Sequence, residues 1–272
     1  MQHRFGWALA AASLLTVAIT GAASAADMAV KAPPPPPPPP PGWQGFYIGG
    51  NVGAGWADTR FTGDPVLGDH FLLPGQSVST GWGDANVVGG IQLGYNWQWD
   101  RVVLGIEGTY SGSDVSNSTG IIVDPVFLGQ NIRLNSKIDQ YATIVGRLGF
   151  APTNSWMIYG RGGYAAGHIK THPEDFFPLP DTLQHFSDGS AWHNGWTAGV
   201  GFEYKWLQNW VVGVEYDYYE FENKNQSNAF IQTTGGAIGA PTFYSENIRP
   251  KMQTVTFRAS YLFGPSPGIA RY

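Results

Sequence analysis

Four histidines, His168, His172, His185 and His193, fall in one stretch that also holds Glu174, Asp175, Asp181 and Asp188. Imidazoles beside carboxylates form the donor set that takes Zn²⁺ or a haem iron, so metal or haemin capture at this place is one expectation. Spacing weakens it, because only His168 and His172 stand at i, i+4, and Pro173 argues against a helix there. Acid–base candidates, Asp84, Asp139, His168 and His193, fall near the ends of patterned segments, but no Gly-x-Ser-x-Gly elbow accompanies them. No enzyme is expected, and no cofactor is required. The glycine-rich stretches open no helix and carry no P-loop lysine, so they are not phosphate cradles.

A second set of chemistry-bearing residues is charged: Glu107, Arg147, Arg161, Glu203, Glu215, Asp217 and Arg258. Each sits on the polar side of a segment whose period is two. In the first segment, Phe46, Ile48, Val52, Ala54 and Trp56 alternate with Tyr47, Asn51 and glycines. That is the signature of a half-apolar β-strand. Seven more segments repeat it, Val87–Trp97, Val102–Tyr110, Asp139–Phe150, Trp156–Gly167, Gly195–Tyr204, Trp210–Glu220 and Met252–Phe263. Short links at Gln98–Arg101, Ala151–Ser155 and Lys205–Asn209 alternate with four long ones of about 25 to 30 residues, the pattern of periplasmic turns and external loops. The fold expected is all-β, an eight-stranded antiparallel transmembrane up-and-down β-barrel.

A soluble eight-stranded barrel has the same period, so the faces must decide. Trp43, Phe46, Trp97, Trp99, Phe150, Trp156, Tyr204, Trp206, Trp210 and Phe263 gather at the ends read as periplasmic, as a girdle at a lipid–water boundary would. Trp56, Tyr110, Tyr164, Trp196 and Tyr218 form a second belt at the opposite ends. A ligand-carrying soluble barrel lines its interior with apolar walls, whereas here three arginines face four acids. Buried charges are costly unless paired, so salt bridges that plug the lumen are expected, with lumenal glycines leaving room for the arginines.

Composition agrees. The 272 residues include 37 Gly and 14% aromatics but no Cys, which excludes disulfides and thiolate sites. A net charge of -5 without a basic stripe argues against a nucleic-acid partner. Arg4, the apolar run Trp7–Ile19 and Ala23-Ser24-Ala25 read as a secretory signal, residues 1–25. Its removal takes Arg4 but no acid, leaving 14 bases against 20 acids. Residues 26–44 form a Pro-rich periplasmic segment, in which Pro33–Pro41 is a polyproline II spacer, residues 45–263 the barrel, and residues 264–272 a short C-terminal extension.

The run Gly42-Trp43-Gln44-Gly45-Phe46-Tyr47-Ile48-Gly49-Gly50-Asn51 resembles alphaproteobacterial outer-membrane immunogenic, porin-family proteins, with an OmpA-like eight-stranded barrel. Gly89–Trp97, Gly105–Gly108, Arg147–Gly149, Gly160–Ala165 and Gly213–Tyr216 are similar to further blocks of that family. The resemblance implies a surface-exposed antigen of the Gram-negative outer membrane. Its implied partners are the lipid bilayer and lipopolysaccharide, the outer-membrane assembly machinery, and host or phage surface ligands. Some relatives are credited with pore formation or haemin binding, so a narrow porin and a haemin- or metal-binding surface protein are the alternatives to a structural barrel. Two positions depart from the family pattern: nine residues follow Phe263, and Arg258 stands where the closing motif commonly has Gly.

Overall fold

The computed structural model describes residues 42–63, 75–123, 131–176, 182–186, 189–234, 237–238 and 242–264. The expected signal, the proline tract and the extension from 265 onward lie outside the described residues. The strands are β1 (Gly45–Gly63), β2 (Ser77–Ser79), β3 (Asn86–Trp99), β4 (Val102–Ser118), β5 (Ile122–Val123), β6 (Asn131–Phe150), β7 (Trp156–Phe176), β8 (Thr182–Phe186), β9 (Gly189–Lys205), β10 (Trp210–Phe221), β11 (Lys224–Thr234), β12 (Ala237–Ile238) and β13 (Thr242–Phe263).

Eight of these, β1, β3, β4, β6, β7, β9, β10 and β13, pair antiparallel with their neighbours in chain order. The ring closes where β13 meets β1, from Phe46↔Phe263 to Gly63↔Glu246. Closure leaves the eight-stranded ring without a free edge, the condition for spanning lipid with β-structure. The β3–β4 hairpin turns through Asp100, whose φ of 52 is a left-handed conformation that Asp tolerates better than most residues.

Register fixes the dimensions. Stepping across paired residues from Glu220 leads through Trp196, Tyr164, Ile144, Gly108, Leu93, Ile48 and Tyr261 to Trp210, ten residues down the starting strand. A shear of ten over eight strands sets a tilt of about 41° and a backbone radius of about 8 Å. At that tilt, Phe46 to Trp56 rises about 25 Å, the height of an outer-membrane apolar band. Side chains facing outward over this height are apolar and exposed, among them Ile48, Ile91, Leu104, Ile144, Val200 and Phe257.

The barrel is taller than the alternation of apolar residues suggested. Expected strand limits at Trp56, Tyr110, Asp139, Gly167 and Met252 are overrun by β1, β4, β6, β7 and β13, so much of the four expected loops is strand. Above the band the outer face meets water and needs no apolar residues, which removes half of the signal. The inner face still packs: Phe61, Leu134 and Ile248 are buried together there, with Val78 against them.

Candidate functional site

All seven charged residues read from the sequence are buried in the lumen, each no more than 6% exposed. Glu107 of β4 is the hub. Its carboxylate accepts from Arg161 Nη1 at 3.0 Å, Arg147 Nη1 at 3.4 Å, the Tyr47 hydroxyl at 2.7 Å, and Arg258. Glu215 of β10 takes Arg161, Arg258 and the Tyr159 hydroxyl at 2.6 Å. Glu203 receives Arg147 Nη2 at 2.7 Å, and Asp217 lies 3.5 Å from Arg161 Nε. The Arg147 guanidinium also stands over the Tyr159 ring, 4.0 Å from its centroid. Seven strands thus tie to one another across the lumen, through groups whose desolvation only close pairing offsets.

Lumenal glycines make room for tyrosine, carboxylate and backbone atoms rather than for the arginines expected. A Cβ at Gly94 would meet the Tyr47 hydroxyl at 2.4 Å, and one at Gly199 the Asp217 carboxylate at 2.0 Å. Tyr47 and Tyr159 are the lumenal residues that reading charge alone overlooks. Tyr159 shares the parity of Arg161, which is the signal that finds it.

Trp43 requires a correction. Rather than joining the outer girdle, it is 1% exposed and packs inside the periplasmic mouth with Val211 and Leu262. Its amide donates to Gln98 Oε1, and Lys205 Nζ lies 4.7 Å from its ring centroid while donating to Gly42 O. Between Trp43 and the Arg147–Glu203 pair, the cavity measures about 10 Å³, space for at most one water. On the other side of the charges, Tyr141, Ile138, Ile169, Tyr219, Phe221 and Met252 form a second apolar layer.

Among the described side chains, those of His168, His172 and His193 are not brought together. His168 and His172 lie on the outer face of β7, four residues apart, which in a strand is about 13 Å. His193 faces inward and is buried, with Nδ1 3.2 Å from Glu222 O. His185 pairs through its backbone with Ile231 in β8–β11. Among the described residues no three His or acidic groups are placed to hold a metal ion. His168 instead bonds Asp139 at 2.7 Å, as does Lys170 at 2.7 Å, and packs on Trp192. Of the expected acid–base residues, Asp84 lines a polar cleft that Lys170 and His172 also line.

The sequence profile described as outer membrane protein beta-barrel domain matches residues 11–263. The chain belongs to the outer membrane protein β-barrel domain family. Within that family's reach, the 31 kDa outer-membrane immunogenic protein of Brucella melitensis biotype 1 is 36% identical over 174 residues, 60% of this chain and 64% of the relative. The 22 kDa outer membrane protein of Rhizobium leguminosarum bv. viciae is 30% identical over 163 residues, 59% and 56% of the two chains. The match therefore spans less than two thirds of either relative. Among solved structures, the outer membrane protease OmpT of Escherichia coli gives a TM-score of 0.46 at 12% identity, covering 80% of this chain and 97% of that one. OprG of Pseudomonas aeruginosa gives 0.39 at 14%, with the same coverage. Likeness of that degree says nothing about activity. As an outer-membrane β-barrel protein of a Gram-negative bacterium, the chain turns its apolar band to lipid, so the lumenal charges and the parts above the band are left to carry function.

Proposed function

We propose that this barrel is closed to ions and solutes and acts as a lipid-embedded support for its extracellular extension, through which it meets host, phage or neighbouring surfaces. The observation that carries the reading is the lumenal charge layer, in which three arginines and four acids interlock inside a ring about 8 Å in radius. The Trp43 layer beneath it adds a second obstruction. The reading is non-enzymatic: the Asp139–His168 contact serves a surface cluster with Lys170, and the Brucella relative is named only as immunogenic. Exposed strand ends and links above a rigid ring are where recognition concentrates in such designs.

The test is electrical. With insertion established by an unheated gel band that shifts on boiling, the refolded chain from Ala26 to Tyr272 is expected to leave a planar bilayer silent. Reproducible current steps that scale with salt would overturn closure and make the protein a narrow porin. Trp43→Ala alone is expected to stay silent, because the charge layer remains.

A further inference from the structure

Above the lipid-facing band, Arg60 of β1 stands directly opposite Arg249 of β13 in the closing ladder. Both point outward. Like charges directly opposite on adjacent strands repel and destabilise a sheet unless something negative lies between them. Glu220 answers only part of this, bonding Arg249 Nη2 at 2.5 Å and lying 4.0 Å from Lys251 Nζ. Asp58, the other carboxylate of the patch, accepts from the Ser79 hydroxyl. Arg60 makes no ion pair among the described residues, and Glu222, next along the chain after β10, pairs with neither arginine. Three bases against Glu220 and Asp58 leave the patch with an excess positive charge.

Depth identifies what an anion here would belong to. Trp56, on the same strand and face, marks the upper boundary of the band, and Arg60 is four residues beyond it. At about 3.3 Å per residue and a tilt of about 41°, the guanidinium-bearing backbone lies about 10 Å above that boundary, at headgroup height. Guanidinium forks bind phosphate in bidentate fashion, and two side by side offer a clamp. We propose that Arg60 and Arg249, with Lys251 beside them, form a binding site for a phosphate group on the glycolipid of the outer leaflet, docked against the β1–β13 seam.

The experiment measures binding of diphosphorylated lipid A to the refolded chain in detergent micelles by native mass spectrometry, with its dephosphorylated form and inorganic phosphate as separate probes. Arg60→Ala/Arg249→Ala is expected to weaken diphosphorylated lipid A by about tenfold or more, while Arg60→Lys/Arg249→Lys, which keeps the charge but loses the planar fork, is expected to weaken it by a smaller factor. Gel mobility before and after boiling verifies that each variant is folded. Equal binding of the dephosphorylated lipid, or wild-type affinity in the folded double alanine variant, would overturn the site. Inorganic phosphate competing at concentrations comparable to lipid A would overturn the lipid assignment, since the glycolipid should win by its acyl chains against the barrel wall.

Discussion

At the scale of single residues, Glu107 has more to lose than any of its neighbours. Its carboxylate meets all three lumenal arginines and the Tyr47 hydroxyl, so Glu107→Ala leaves several buried donors facing one another. The expected cost is about 3–5 kcal/mol, read as a lower urea midpoint for unfolding from vesicles. Tyr47→Phe removes one hydroxyl that links Arg147 to Glu107, and about 1–2 kcal/mol is expected by the same measurement. The identities of the seven charges were legible in the sequence because each interrupts an alternating segment on its polar side. Their partners were only half legible. Tyr159 is aromatic and was easily passed over, and Trp43 precedes the first alternating residues, so no parity assigned it to the inside.

At the scale of strands, the two faces impose opposite demands on glycine. Gly53 points inward, and a Cβ there would sit 2.0 Å from the Val255 carbonyl oxygen; Gly162 points outward, where the nearest atom is Thr197 O at 3.4 Å. Gly53→Ala is therefore expected to lower refolding yield into lipid vesicles, whereas Gly162→Ala leaves it unchanged. The lipid face makes its own demand: Ile144, 61% exposed on β6, lies within the apolar band. Ile144→Arg is expected to destabilise the inserted barrel by about 2–4 kcal/mol, with little change expected for Asn135→Arg on the outer face above the band. Period-two patterning exposed these strands wherever one face needs lipid. Above the band, Thr59, Ser136 and Thr171 turn inward among sparse apolar residues, and the Ser136 hydroxyl meets Thr59 across the lumen at 2.8 Å. Polar residues on both faces carry no period-two signal, so the taller wall is not legible in the sequence.

At the scale of the whole molecule, the number of strands follows from the alternating segments and their up-and-down order from link lengths, while the shear of ten requires the register itself. One ladder has a particular position in this scheme. The pairs from Phe46↔Phe263 to Gly63↔Glu246 join the first strand to the last, so every ring strand has hydrogen-bonded neighbours on both sides. A protease that severs one connection on the cell surface therefore releases nothing, because each half is still held along both of its seams. Cleavage between β4 and β6 should give one folded band on an unheated gel and two fragments only after boiling. Such a surface can be scarred repeatedly by its surroundings and stay in the membrane, intact in shape though no longer continuous in chain.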